Sequence, residues 1–389
     1  MKQILLMCCI GLFLMTTNSC KQNELGPVDN DGVAPGPVSN LSVLNLNGAA
    51  TVTFTSPADP DLAYVKAQYT TKDGTVRETK VSRYNNKITL EGFADTDAYE
   101  VTLTAVDKGE NASQPVNITV NPLKPIYKIA FESVKAARDF GGINIKVDNP
   151  NRASLAIIVL TDDSLKNFVP AQTFYSDVKD VNFSVRGFKA IDRKFGIVVR
   201  DRWGNRSDTL NVSLTPLFEE RLSRTAMSGF TLPTDATQGH SGTYAGLFDD
   251  NLTGGWYHSA DGNVMPQWFT FDMGVVAKLS RLVYFMKPNK YFDEHNPQVV
   301  EIYGSNAPNP NGSFDGSWTL MTTYTMVKPS ETPAPQLTQA DITAAQEGAT
   351  ITFPLDAPRA RYIRFKTLKN WGNTPYVSVY EIRMFGDSH

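Results

Sequence analysis

The stretch "LFDDNLTGGWYH", Leu247 to His258, crowds two carboxylates, an amide and a hydroxyl ahead of two glycines and an aromatic run. Asp249, Asn251 and Thr253 fall at alternating positions, the spacing a tight loop needs if its side-chain oxygens are to meet. Three kinds of chemistry fit that pattern. Asp and Asn can cap their own backbone in Asx turns. The same oxygens can cage a hard cation. The turn can also form the lip of a binding site.

Catalytic chemistry is poorly supplied elsewhere. The chain holds four histidines, one of them the terminal His389, and no Gly-x-Ser-x-Gly, His-Glu-x-x-His or P-loop pattern. His240 adjoins Ser241, but neighbours on an extended chain point apart, so the two are no dyad. A glycosidase needs only two carboxylates, and their separation is set in space. No stretch is long enough for a catalytic barrel, and a non-enzyme is expected. All three cysteines (Cys8, Cys9, Cys20) lie near the N-terminus, which removes disulfides, thiol nucleophiles and cysteine zinc sites from the remainder. A formal charge of −3 without a Lys/Arg run excludes a nucleic-acid face.

The elements that must position these residues begin after a leader. Residues 1–20 combine a short basic start, an apolar run from Ile4 to Met15 too short to span a bilayer, and the small polar segment "TTNSC". This reads as a lipoprotein signal peptide with Cys20 acylated, although Thr17 stands where the pattern usually has Leu. A plain secretory signal is the alternative. Residues 21–37 are rich in Gly, Pro and Asn without periodicity, and read as a flexible tether.

Self-comparison gives the next units. "GFADTDAYEVTLTAVDKGENASQPVNITVNPL" (Gly92–Leu123) and "GFKAIDRKFGIVVRDRWGNRSDTLNVSLTPL" (Gly187–Leu217) share Gly-Phe, an alternating strand, an Asp–Asn turn, a second strand and a closing Pro-Leu. In "YEVTLTAVD", Tyr99, Val101, Leu103 and Ala105 alternate with polar residues, the period of a half-buried strand. The repeat length suits one immunoglobulin- or fibronectin-like sandwich. We therefore expect an all-β chain with tandem sandwiches over 38–122 and 123–217. Helix signals are thin: "LFEERLSRTAM" (Leu217–Met227) reads as a short helix or linker, and "QLTQADITAAQEGAT" holds one short helix capped by Thr338.

Residues 218–389 carry four of the five tryptophans and at least seven strand-like segments. "LFDDNLTGGW", "QWFTFDMG", "VVEIYGSNAP", "ARYIRFKT" and "VSVYEIRMFG" follow in the order of the discoidin (coagulation factor type C) family, which includes galactose-binding-like carbohydrate modules. The domain resembles that family. The resemblance implies a discoidin-like jelly-roll sandwich in which the opening turn wraps a structural Ca²⁺, with Asp249, Asn251, Thr253 and, from the last strand, Glu381 as ligands. Asp250 and Asn251 replace the family's usual Gly and Asp.

Loops at one end of such a sandwich meet the ligand. Tyr291 and His295 lie in a long loop with no evident core duty, and Trp371 and Asn373 share another. Lys287 stands where many relatives carry Arg, which weakens a bidentate grip on two hydroxyls. Sugar recognition needs an aromatic platform with polar groups for hydroxyls, so these five are the candidate ligand-binding residues. With its leader, the whole chain looks like a Bacteroidota-type surface lipoprotein, of the kind encoded beside polysaccharide-uptake machinery. The resemblance implies a non-catalytic protein, lipid-anchored in the outer membrane and exposed at the cell surface, that binds glycan and serves polysaccharide capture. The alternative is a structural accessory that binds outer-membrane uptake proteins.

Overall fold

The computed structural model describes residues 31–389 apart from Ser164 and Lys166. The expected leader, with Cys20, lies outside the described residues, as does most of the expected tether. Among the described residues no helix is long and apolar enough to cross a membrane.

The described chain is all-β, built of several β-sandwiches, with two short helices. The first sandwich packs a three-stranded sheet (Ser39–Leu46, Ala49–Thr55, Lys87–Glu91) on a four-stranded one (Val76–Ser82, Leu62–Thr70, Tyr99–Asp107, Val116–Val120). Its core is the inward set of those alternating strands, with Val52, Val65, Leu90, Val101 and Leu103 fully buried. Tyr99 opens its strand with its hydroxyl donated back to the Asp95 carboxylate at 2.7 Å. The second sandwich repeats the three-plus-four arrangement around Ile145, Ile157, Phe195 and Val199. Gly92 and Gly187, which open the repeated Gly-Phe pairs, both sit in the left-handed region at φ +88° and +97°.

A helix unforeseen in the sequence, Ile126–Glu132, starts behind Pro125 and joins the two sandwiches. Tyr127 on it donates to the Ala94 carbonyl at 2.8 Å. Trp203 rides over Gly92 so closely that a Cβ there would lie 3.0 Å from the indole.

The third unit is held by one long strand, Gln267–Phe285, which bends from one sheet into the other. Its first half pairs with Ala360–Asn370, and beyond that strand lie Pro297–Ser305 and Thr319–Thr325. Its second half pairs with Glu381–Asp387 and Ala349–Thr352. The register shifts between Asp272 and Ala277, where Gly274 takes φ +73° against the Ala226 backbone. Phe269, Phe271, Leu282, Ile302, Phe365 and Met384 fill the space between the sheets. Thr338 caps the helix Gln339–Glu347 in a reciprocal box with Asp341, as the sequence indicates. The segment Leu217–Met227 is no α-helix: Glu220 and Arg221 pair with Gly386 and Phe385, and a single 3₁₀ turn follows at Arg224–Ala226.

Candidate functional site

Two loops and a short ladder make a cleft at one end of the third sandwich. Each loop is fixed by a buried asparagine. Asn296 accepts from the Lys287 amide at 2.8 Å and donates to the carbonyls of Lys290 and Asp293. Asn370 donates to the carbonyls of Thr374 and Tyr376 and accepts from the Thr374 amide. Both are 1 % exposed, so the loops are organised from within. The ladder sets Tyr257 opposite Val379 and His258 opposite Ser378. The His295 carbonyl takes the Ser378 amide at 3.0 Å, tying ladder to loop.

These supports bring together residues distant in sequence. His240, Trp256, His258, Lys287, His295, Tyr376, Ser378 and Tyr380 line an open cleft of about 380 Å³, within the size range of small-molecule sites. The rings of His240 and His258 meet edge-on at 4.8 Å, those of His258 and His295 at 5.2 Å, and Tyr376 lies 5.0 Å from His295. Trp256 and Tyr380 stack at 5.6 Å with 14° between planes. His258 Nδ1 faces the Ser259 carbonyl at 2.7 Å; a carbonyl only accepts, so Nδ1 carries the proton and Nε2 is left as an acceptor. His295 Nδ1 is held by the Thr374 hydroxyl at 2.7 Å. Burial lowers the pKa of both, reinforced at His258 by the neighbouring His240 and Lys287 and at His295 first by His258. Neutral imidazoles with one anchored nitrogen each have the second available for a hydroxyl. Tyr376 donates to Asp261 at 2.7 Å, and Glu294 sits 3.6 Å from the Lys287 ammonium.

Of the expected ligand residues, His295 and Lys287 lie in this cleft. Tyr291 and Trp371 are half-buried against the core, and Trp371 meets buried Phe292 edge-on at 5.2 Å. Asn373 is exposed at φ +52° and does not line the cleft. Six lining residues, His240, Trp256, His258, Tyr376, Ser378 and Tyr380, are not among the five sequence candidates. Only pairing across the sandwich joins them. A larger cavity of about 950 Å³ lies between the second and third sandwiches, but its lining, which includes Arg186, Arg281, Arg383 and Phe385, carries no imidazole.

The opening turn does contain Asx turns. Asp249 accepts from the Asn251 amide at 2.8 Å, and Asn251 accepts from the Thr253 amide and hydroxyl at 2.9 Å. Beneath them Glu381 is fully buried; one carboxylate oxygen takes the Asp250 amide at 3.1 Å and the other has no hydrogen-bond partner. Burial first, then the Asp250 carboxylate, pushes its pKa up to about 7. Asp250 points to Arg221, Arg224 and Arg383, which hold its own pKa low and keep it out of the turn's oxygen set. The Glu381 oxygen without a hydrogen-bond partner is a hard donor of the kind a calcium ion takes.

Comparison with known proteins gives three consecutive family matches, each described as a domain of unknown function: DUF4959 over residues 35–122, DUF5126 over 123–225 and DUF5000 over 245–386. No curated protein matches the chain in sequence. Among solved structures, the SusE-like protein BT2857 is 33 % identical over 68 % of this chain and 100 % of its own, with a TM-score of 0.45. The family 32 carbohydrate-binding module of C. perfringens NanJ, solved with galactose, is 16 % identical over 43 % of this chain and 98 % of its own (TM-score 0.31). A two-domain fibronectin type III segment of chicken tenascin is 15 % identical over 46 % and 99 % (TM-score 0.22). The last two superpose too loosely to bear on a ligand.

Proposed function

The chain belongs to the family of SusE-like proteins, and from that premise we propose that it is a non-enzymatic, lipid-anchored protein of the outer-membrane surface that captures carbohydrate for uptake. The cleft of the third, discoidin-like sandwich is the capture site, and the tandem sandwiches over 38–122 and 123–217 hold it away from the membrane. The observation that carries this reading is the convergence of His240, His258 and His295 with Tyr376 and Lys287 beside the stacked Trp256–Tyr380 pair. The neutral imidazoles of His258 and His295 and the Lys287 ammonium serve vicinal hydroxyls, and stacked rings offer an apolar face to a pyranose. Calcium at Asp249, Asn251, Thr253 and Glu381 secures the turn that leads into Trp256 and His258. When bound, it supplies charge compensation for Glu381 and takes no part in recognition.

The test is binding of the whole chain to a polysaccharide panel, with His258→Ala and His295→Ala variants. Losing one hydrogen bond from the ligand corresponds to roughly a 5- to 10-fold weaker Kd for each. Unchanged affinity in both variants would remove the cleft from consideration. A folded protein blank across the panel that co-purifies with a membrane partner would favour the structural-accessory role. Tyr291→Ala and Trp371→Ala serve as comparison variants, since their rings pack on the core; a loss of affinity there without loss of stability would restore them as contacts.

A further inference from the structure

Three carboxylates meet at the end of the first sandwich, where the chain comes into it. Asp107 closes the strand Tyr99–Asp107 and pairs with Leu62, which sets Asp61 beside it. Asp31 arrives from the segment ahead of the first strand. One oxygen from each lies within 4.8 Å of the others. Asp107 is fully buried, and Asp61 is 4 % exposed with both carboxylate oxygens lacking any hydrogen-bond partner. A carboxylate buried without a partner is costly, and proteins ordinarily pair it or give it a metal.

The second sandwich shows how much of this the fold itself needs. Asp107 accepts from the Asn111 amide and side chain at 2.8 and 2.9 Å; Asp201 accepts from those of Asn205 at 2.9 and 2.8 Å. One Asp thus closes the turn in both copies. Leu155 pairs with Asp201 as Leu62 pairs with Asp107, so Ser154 stands where the first copy has Asp61. The turn does not require that second carboxylate. In the second copy the turn faces the preceding sandwich, with Asn205 donating to the Gly92 carbonyl at 3.2 Å. In the first copy, Asp31 comes to that end instead.

We propose that Asp31, Asp61 and Asp107 bind a divalent cation of the calcium class, which fastens the segment ahead of the first strand to the sandwich. The donors are all hard oxygens, which exclude soft metals. Asp31 spends one oxygen on the Val33 amide at 2.8 Å and has the other to give. The set is irregular, which calcium tolerates by completing its shell with water and carbonyls, and which magnesium's strict octahedron disfavours.

The test uses the full chain in equilibrium calcium binding up to about 5 mM, a range that covers the weakest class of protein calcium sites. Hydrogen exchange of residues 31–37 and 105–113 is followed alongside. Asp61→Asn is expected to lose one bound calcium and the calcium-dependent protection of those peptides, while melting no lower than the parent in chelator. Asp31→Asn, at an exposed position, is expected to weaken calcium by about tenfold or more through loss of a charged ligand. Glu381→Gln, altering the turn in the third sandwich, should leave the protection of 31–37 and 105–113 intact, so the two sites are read separately. Asp61→Asn binding as much calcium as the parent with equal affinity would overturn the proposal. So would calcium leaving exchange at 31–37 unchanged in the parent.

Discussion

His258 and His295 are held neutral by burial, and this sets a pH dependence. A folded-state pKa below the unfolded value of about 6.5 means that the unfolded chain takes up protons first. The stability from keeping both rings neutral is therefore full above about pH 6.5, and is lost as pH falls through the lowered folded values. Thermal melts from pH 8 to 5 should show this fall, and the double variant His258→Ala/His295→Ala should flatten it; an unchanged slope would refute the assignment. Glu381 offers a second residue-level test, because it is buried, raised to about 7 and short of a partner. At pH 8 in chelator, Glu381→Gln removes a buried charge whose nearest cation, Arg221, stands 3.9 Å away, and should melt above the parent. With millimolar calcium the order should reverse. None of these environments is visible in the residues themselves: "WYHS" and "QGHSG" each contain one unremarkable histidine, and only the bridge between Gln238 and Ser259 sets the two rings 4.8 Å apart.

Elements with a strong local period were legible before any coordinates. The Asp–Asn turn and its flanking strands occur in both copies where the internal repeat indicates, because alternation and a Gly/Asn turn are local signals. Thr338 marked the start of its helix, a local cap signal, and the structure adds Asp341 as its reciprocal partner. The helix Ile126–Glu132 escaped because seven residues hold too few apolar repeats, and its support is tertiary, through Tyr127. Loop conformation was the least readable feature. Asn296 and Asn370 look like any loop amides in sequence, yet each satisfies several buried backbone groups. Asn370→Ala would strand those groups and should cost about 2–3 kcal/mol. Chemical denaturation measures that cost, and glycan affinity should fall with it, because the loop carrying Tyr376 loses its pin. A neutral result would mean that the 370–376 loop is held by other contacts.

At the scale of the whole molecule, the second and third sandwiches are joined through Glu219, whose side chain is 8 % exposed. It accepts from Ser280 at 2.6 Å and pairs with Arg186 at 3.0 Å and Arg281 at 3.3 Å, while Arg186 also reaches Asp139 at 3.0 Å. Glu219→Ala would leave two guanidiniums facing each other and should cost about 3 kcal/mol. Calorimetry should then resolve the last sandwich from the rest as a separate transition; a single unshifted peak would show that the joint is carried elsewhere. The pairing of Glu220 and Arg221 with Gly386 and Phe385 brings the third sandwich's first strand against its last, and His389 ends edge-on to Phe218 at 4.8 Å. A fluorophore or affinity handle appended after His389 would therefore sit at the joint with the second sandwich. Such a reporter would register bending between the two, and a surface-immobilised chain attached through it would be strained at that joint.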